Sequence, residues 1–519
     1  MKNLIYLCTL KPSSHRTAEE SLGLEYLASS LEKNGYRVII RDLWLDDSLK
    51  YNDLINEILS KKDQVLFVGT SSYMLNNQPT CEMLNILKTN DINTASGGYG
   101  PTFEPEMFLK NGADLVMVGE GENAIVEVAD YFSGLRKLNE IKSIVYLKDD
   151  KLQFTQKRDL IADLDKIPFP KRPYLNLTKK RMSTVNVLSS RGCMGHCSFC
   201  SIAANIDKQK GKRWRGRSID NIVQELLQLQ KLGVKYVKFV DDSFLENERD
   251  ASWCKEFLRK LKENNIDMSF RTSIRADKVD EESFRYLKEA GFFSYSCGLE
   301  NGSVTALKRM HKLASLEDNE KAIKVFKKLG IYMQAGFILF DNKTTMQELE
   351  ENYEFLSKHI DLVSKGIFSE MYAAVGTSFT KENIKEDSEK FCANNLYLVE
   401  DNDARQVYDN LKKWQKHHSK IYDMVIDPIS APKAIPVCEM KKYHKLMIMM
   451  KEIDLAFMKQ TIDCVKSKGD IESVYKKFDE KYTPFFEDIS KTVDKFYKKD
   501  GMVYDANING FLLSNKQKI

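Results

Sequence analysis

The sequence predicts an α/β protein in three parts: a doubly wound parallel-sheet domain, a six-unit partial (β/α) barrel and a helical C-terminal region. Three observations predict it. Apolar strands alternate with helices of roughly ten to sixteen residues across residues 1–145, the pattern of a parallel sheet covered on both faces. A second alternation over 183–385 repeats, with glycine and polar residues gathered at the carboxyl end of each strand. Beyond 386 the strand pattern stops and charged amphipathic helices take over. A length of 519 residues leaves room for these parts plus a connecting strap.

Composition excludes several classes. The chain is 42% hydrophobic and 30% charged, with a formal net charge of +4 and no low-complexity tract. Cationic and anionic residues are interleaved, which gives no footprint for nucleic acid or an acidic membrane surface. No run approaches the ~18 apolar residues that a membrane helix requires. Outside one loop the remaining seven of the ten cysteines are scattered without the spacing of a disulfide framework, so a reducing cytoplasm is expected.

In the first part, strands are expected at Asn3–Leu10, Tyr36–Arg41, Gln64–Thr70, Ile92–Ser96 and Leu115–Val118. Helices are expected at Ala18–Lys33, Tyr51–Ser60, Thr80–Thr89 and Asn123–Phe132. Such a sheet binds ligands across the carboxyl ends of its strands. Glycines stand at those ends, in Gly97-Gly98 and Gly119-Glu120-Gly121-Glu122, where backbone can approach a bound group closely. Gly119-Glu120-Gly121 follows the fifth strand and not the first, so it is no dinucleotide fingerprint. On pattern alone, a regulatory or scaffolding flavodoxin-like domain fits as well as a cofactor domain.

Residues 146–182 carry Ile167-Pro168-Phe169-Pro170 and Lys171-Arg172-Pro173 and are expected to form an irregular strap. Six strand–helix periods then follow, with strands at Ser183–Leu188, Val234–Val240, Met268–Ile274, Phe292–Cys297, Tyr332–Phe340 and Gly366–Ala374. Six units in that length indicate an incomplete barrel with its active face at the strand carboxyl ends. The first strand delivers Arg191-Gly192-Cys193-Met194-Gly195-His196-Cys197-Ser198-Phe199-Cys200 onto that face. Three thiolates spaced C-x3-C-x2-C can hold an iron–sulfur cluster and leave one iron open. Zinc is the competing tenant, but His196 lies between the cysteines, too close to reach the same ion easily.

With Phe199 just before the third cysteine, this loop and its barrel resemble the radical SAM superfamily over most of residues 183–380. The resemblance implies a [4Fe-4S] cluster on Cys193, Cys197 and Cys200, its open iron chelated by S-adenosylmethionine (SAM). Reductive cleavage of SAM then yields methionine and a 5′-deoxyadenosyl radical. It also implies that Glu300, in the Gly298–Ser303 turn, accepts from the methionine amino group, that Arg275 lies near its carboxylate, and that Phe199 stacks on adenine. From the residues alone, Glu300 is equally a solvated turn carboxylate, Arg275 a rim ion pair and Phe199 loop packing. Asp241 and Asp242 fit either polar contact with a ligand or capping. Gly376-Thr377 is similar to the family's sixth-strand Pro-Gly-Thr turn, with Val375 replacing proline.

The first part resembles the Rossmann-like cobalamin-binding domain that precedes many radical SAM enzymes. The helix at Gly23-Leu24-Glu25-Tyr26-Leu27-Ala28, the Ser96-Gly97-Gly98 step and the Gly119–Glu122 turn carry the likeness. It implies cobalamin, its nucleotide tail near Ser71, Ser72, Gly97, Gly98 and Gly119. The older signature Asp-x-His-x-x-Gly is absent. His15, in Lys11-Pro12-Ser13-Ser14-His15-Arg16, lacks its aspartate partner, so binding without a lower histidine is expected.

The tail, residues 386–519, is expected to be helical at Asp403–Asp423, Lys441–Lys468, Ile471–Phe478 and Phe485–Lys498, interrupted at Ile426–Pro436. The expected function is cobalamin-dependent radical methylation of an unactivated carbon in a natural product, peptide or other small substrate. The alternative is cyclisation, rearrangement or other carbon–carbon bond formation with the same cofactors. A methylthiotransferase is disfavoured because its N-terminal domain carries three cluster cysteines, against Cys8 and Cys81 here. A non-catalytic cobalamin carrier is disfavoured by the intact cysteine triple. The expected partners are the substrate and an external reductant such as flavodoxin or ferredoxin.

Overall fold

The computed structural model describes residues 2–12, 19–181, 184–246, 248–383, 398–430, 437–505 and 510–513. His15 lies outside them. The first sheet is built by β1 (Leu4–Thr9), β2 (Arg37–Asp42), β3 (Val65–Ser71), β4 (Thr94–Gly97) and β5 (Leu115–Met117), all parallel. Its order, β2-β1-β3-β4-β5, reverses direction between β1 and β3, which opens a crevice at their carboxyl ends. Helices α1 (Leu22–Lys33), α2 (Tyr51–Ser60) and α3 (Asn77–Thr89) connect the first strands. The short α4 (Tyr99–Phe103) and α5 (Pro105–Lys110) follow β4, and α6 (Glu122–Phe132) follows β5. One face of the sheet buries Ile5, Leu7 and Phe67 against Leu24, Leu31, Ile125 and Val128. The other buries Tyr6 and Val68 against Leu54, Ile58, Met83 and Leu87. The strands read as unbroken apolar runs because both faces are covered.

The strap is more regular than its prolines suggest. β6 (Ile144–Lys148) and β7 (Lys151–Phe154) form a hairpin that adds antiparallel to β5, so the sheet continues past residue 145. A short helix, α7 (Leu175–Lys180), follows the last proline. Arg172 fastens the strap: its side chain pairs with Glu20 of the first part and with Glu225 of the second at 2.8 Å, and donates to the Asn186 carbonyl at 2.7 Å. Burial and the neighbouring carboxylate of Glu20 push Glu25 up to about 9, so this cluster holds fewer negative charges than its three carboxylates suggest.

The second sheet begins with β8 (Val185–Val187). β9 (Ser190–Arg191) then pairs antiparallel with β10 (Arg215–Gly216), and α8 (Ser201–Ile206) lies between them. The barrel continues through α9 (Ile219–Lys231), β11 (Tyr236–Phe239), α10 (Ala251–Glu263), β12 (Ser269–Arg275), α11 (Glu281–Glu289) and β13 (Phe292–Glu300). It ends with α12 (Val304–Arg309), α13 (Leu316–Leu329), β14 (Tyr332–Phe337) and α14 (Met346–Lys358). The sheet order is β8-β11-β12-β13-β14, parallel throughout and sequential, as a barrel wall requires. Side chains start the helices: Ser218, Asp250 and Asp280 cap α9, α10 and α11, and Ser315 and Thr345 complete capping boxes for α13 and α14.

The sixth period departs from expectation. Residues 363–371 form no strand; isolated bridges tie Val363 to Gln334 of β14 and Glu370 to Phe340 just beyond it. Gly366 has φ +82°, and the space a Cβ would need there is taken by Gln415. The segment occupies the sixth position of the wall without its regular ladder.

A short α15 (Ser378–Asn383) precedes the tail, which forms three long helices: α16 (Asn402–Ser430), α17 (Val437–Lys466) and α18 (Ile471–Lys499). The expected interruption at Ile426–Pro436 does not begin before Ser430, residues 431–436 lying outside the described ones, and the expected gap between Phe478 and Phe485 does not occur. α16 runs through Pro428 and α18 through Pro484. An interior proline costs a helix about 3 kcal/mol. Burial of Phe478, Phe486, Ile489 and Val493 around Trp414 and Phe457 offsets it, at about 1.5–3 kcal/mol per large apolar side chain. The Met- and Ile-rich stretch of α17 is packed core, continuous with that of the barrel.

Candidate active site

The cysteine loop is held on every side. Asp241, wholly buried at the end of β11, accepts from Ser189 N at 2.7 Å, Ser189 Oγ at 2.5 Å and Ser190 Oγ at 2.6 Å. Asp242 accepts from Gly192 N at 2.8 Å, and burial pushes its carboxyl up to about 6. Both aspartates shape the loop. Ser198 N donates to the Met310 carbonyl, and Phe379 N donates to the Ser198 carbonyl, both at 3.0 Å. Gly192 is obligatory: at φ +91° a Cβ would fall 1.8 Å from the Arg213 carbonyl oxygen.

Cys193, Cys197 and Cys200 are brought together. A Cβ on Gly195 would stand 3.3 Å from Cys193 Sγ and 3.9 Å from Cys197 Sγ, so the loop curls round these sulfurs. Among the described residues, no three His, Cys, Asp or Glu side chains are gathered tightly enough to hold a single metal ion. Burial raises all three thiols, Cys197 to about 11. Keeping them ionised requires a strongly cationic partner, which a cluster supplies.

The other expected residues sort differently. Arg275 sits beside the loop, with Nη1 4.0 Å from Cys193 Sγ, but it is ion-paired with Asp277 at 2.6 Å and Glu246 at 3.2 Å. Glu300 ends β13 at φ +65°, and its Oε1 accepts from Lys312 at 3.0 Å. A Cβ on Gly298 would meet that same oxygen at 2.3 Å, so the carboxylate lies over a bare strand. Phe199 packs with Ala306, Met310, Met371, Ala373 and Phe379.

In the first domain a cavity of about 530 Å³ opens at the carboxyl ends of β1 and β3, lined by Thr9, Ser71, Ser72 and Gly98 together with Trp44, Tyr73 and Tyr99. Gly98 has φ +95°, and a Cβ there would lie 2.6 Å from the Ser72 carbonyl oxygen. Ser72 Oγ is engaged with Asn77 Oδ1 at 2.7 Å, which fixes the cradle. Gly97 is buried against Met117 and does not line the cavity. Gly119 does not line it either: a Cβ at φ +84° would strike the Gln209 amide, and Glu120 N donates to Gln209 Oε1 at 3.0 Å. Its turn docks the first domain on the second. The volume, the bare glycine and the aromatic walls fit a large planar cofactor.

Sequence reasoning missed the residues that join the two halves. The cavity is also lined by Ser201, which follows Cys200, and by Tyr372, Ala374 and Val375 from the end of the barrel wall. Tyr99 stands half-buried between them; loss of hydration holds its phenol well above the usual range, and the charges of Asp242 and Cys200 add to that. Aromatics directly after strand ends, as Trp44, Tyr73 and Tyr99 are, were the available signal. Arg191, two residues before Cys193, pairs with Glu122 and lies 3.2 Å from Glu120, while Arg215 meets Glu120 at 2.9 Å. The side chains of this clamp are 15% exposed or less.

A strand-end crevice in one parallel domain that reaches Ser201, just after a three-cysteine loop, at the rim of a parallel partial barrel is the arrangement of a two-cofactor α/β protein. Residues 187–356 match the family model of the radical SAM superfamily, and residues 16–129 match that of the B12 binding domain. The chain is 31% identical over 350 residues to an uncharacterized methyltransferase of Pyrococcus horikoshii, covering 66% of this chain and 74% of the relative. It is 26% identical over 423 residues to cytidylyl-2-hydroxyethylphosphonate methyltransferase of Streptomyces wedmorensis, covering 70% and 78%. The fold matches that of the cobalamin-dependent SAM radical enzyme OxsB, solved with aqua-cobalamin and SAM, with a TM-score of 0.77 at 18% identity, covering 98% of this chain and 82% of that one. The chain belongs to the cobalamin-binding radical SAM enzymes, and its cofactors are a [4Fe-4S] cluster, SAM and cobalamin. No helix among the described residues is long and apolar enough to cross a membrane.

Proposed function

We propose that this enzyme methylates an unactivated carbon of a small molecule or peptide. The observation that carries the proposal is that the cavity in the crevice of the first domain is also lined by Ser201, next to Cys200, and by Tyr372, Ala374 and Val375 of the barrel rim. Two groups that must act in turn on one carbon need to face the same space.

Cys193, Cys197 and Cys200 would hold the cluster, and Ser71, Ser72, Gly98, Trp44 and Tyr73 would cradle cobalamin. Bound together, these cofactors supply a hydrogen-abstracting radical from SAM and a methyl group for the substrate carbon. The chain's own residues arrange this. Lys312 engages Glu300 Oε1, and Oε2 lies toward Gly336, where it can accept from the SAM ammonium. Asp241 and Asp242 hold the cysteine loop in register with the barrel rim. Arg275, ion-paired with Asp277 and Glu246, keeps Nη1 4.0 Å from Cys193 Sγ and favours the ionised thiol. Tyr99 and Phe103 wall the shared cavity and restrict solvent. A small electron-transfer protein such as flavodoxin or ferredoxin would reduce the cluster.

The test is anaerobic reconstitution with SAM carrying a deuterated methyl group, a reductant and a small-molecule extract of cells lacking the gene. We expect bound cobalamin, 5′-deoxyadenosine and a product bearing the labelled methyl. Protein that retains no cobalamin refutes the assignment of the crevice. Formation of 5′-deoxyadenosine with no labelled product replaces methylation by cyclisation or rearrangement.

A further inference from the structure

We propose that the barrel lumen holds a subsite for an anionic group of the substrate, a carboxylate or phosphoryl oxyanion, built on Arg271. The proposal rests on the function above and adds that the substrate reaches from the cofactor mouth down into the lumen. Strand alternation sets the geometry. Phe270 and Ile274 of β12 join the core shared with the outer helices, so Arg271, Ser273 and Arg275 face inward. By the same alternation Lys238, Ser296 and Gln334 face inward from β11, β13 and β14, in register with Arg271 or with one another. Barrel interiors are usually packed with branched apolar side chains. Here Lys238, Ser273, Ser296 and Gln334 are only half-buried and Gly336 is exposed, so the lumen is open and polar.

Within it Arg271 is 9% exposed, and Nη2 donates to Ser296 Oγ at 3.2 Å and Gln334 Oε1 at 3.1 Å. Both acceptors are neutral. Its Nε is buried without a partner, and among the described residues no carboxylate lies within ion-pair distance. Glu19 and Asp427 act on it only at longer range, and Glu19 is engaged by Lys238 at 2.8 Å to both of its oxygens. A buried guanidinium keeps its proton, so leaving it with neutral partners costs free energy that a bound anion recovers. The fork made by Nε and an Nη suits two oxygens of one anion. Arg275, on the same face, is already neutralised and lies beside the cluster cysteines. Arg271 stands four residues earlier, ~13 Å deeper along the strand. An anion anchored there leaves the reacting carbon above it, toward the cofactors.

The test titrates inorganic phosphate and, separately, acetate into SAM-saturated holoenzyme by calorimetry. We expect one saturable site, with the preferred anion showing whether the natural group is phosphoryl or carboxylate. Arg271→Gln should weaken it at least tenfold, and Arg271→Lys should restore part of the loss. Gln334→Glu, which offers the guanidinium an internal carboxylate, should abolish binding without leaving a hole. Cluster and cobalamin absorbance report folding of each variant. No saturable site for either anion, or binding unaffected by Arg271→Gln and Gln334→Glu, overturns the subsite. So does a loss of SAM affinity on substitution, which would make Arg271 a SAM ligand. Wild-type protein that binds the anion but yields no 5′-deoxyadenosine defeats the functional proposal and leaves the subsite standing.

Discussion

Glu120→Gln tests whether the buried clamp couples the two cofactor sites. The substitution keeps the shape and removes one charge. Glu120 accepts from Arg215 Nη1 at 2.9 and 3.1 Å, from Arg191 Nη1 at 3.2 Å and from Ile161 N at 2.6 Å. Arg191 retains Glu122, but among the described residues Arg215, whose side chain is 4% exposed, retains only the Ile161 carbonyl at 2.8 Å. Breaking a buried ion pair by removing one partner costs about 3–5 kcal/mol. The surviving carbonyl and the remaining glutamine oxygen reduce that to roughly 2–3 kcal/mol, or about 30- to 150-fold in the docking equilibrium. The first domain should therefore loosen on the barrel while each cofactor site keeps its own residues. In the anaerobic assay, 5′-deoxyadenosine formation should persist and labelled methyl product per 5′-deoxyadenosine should fall by an order of magnitude. Hydrogen exchange should rise at Ser190–Arg191 and Arg215–Gly216. Adding Arg215→Met should recover part of the loss, because the unpaired charge goes with it. An unchanged product ratio with unchanged exchange would refute the clamp's role.

Three further outcomes follow from single positions. Gly192→Ala should reduce iron content severely while cobalamin binding survives, because the Arg213 carbonyl occupies the space of the new Cβ; iron and cobalamin assays on the same sample check it. Gly98→Ala should do the converse, weakening cobalamin retention at least tenfold with iron intact, since its Cβ would press on the Ser72 carbonyl at 2.6 Å. Lys451 is fully buried, donates to the Leu362 carbonyl at 2.8 Å, and is pushed down to about 8 by burial. Between that value and the ordinary lysine range the unfolded chain binds the extra proton, so wild-type stability should rise with pH there. Thermal melts from pH 7 to 10 should show wild type gaining on Lys451→Met by up to about 3 kcal/mol, and a gap independent of pH would contradict the buried charge.

Much of the fold was legible because strand runs and helical periods are local. The apolar strands of the first domain and the strand–helix periods of the barrel needed no partner to be recognised. Helix persists through Pro428 and Pro484 for the opposite reason: a local penalty is outweighed by packing around Trp414 and Phe457, contributed by distant segments. The sixth barrel segment failed similarly, since Gln415 of the tail occupies the space beside Gly366.

By itself the sequence determined that Cys193, Cys197 and Cys200 stand together on one short loop, because their spacing is a local property of the chain. It also determined the two α/β architectures, through periodicities that each element carries alone. Only the tertiary structure decided that Gly119 docks domains, that Arg275 is neutralised, and that Arg271 is left without a counterion in the lumen. Those facts depend on which side chains from remote strands arrive at one place, and on how much water burial leaves there. Pairing and desolvation are properties of the assembled site, and no spacing along the chain encodes them.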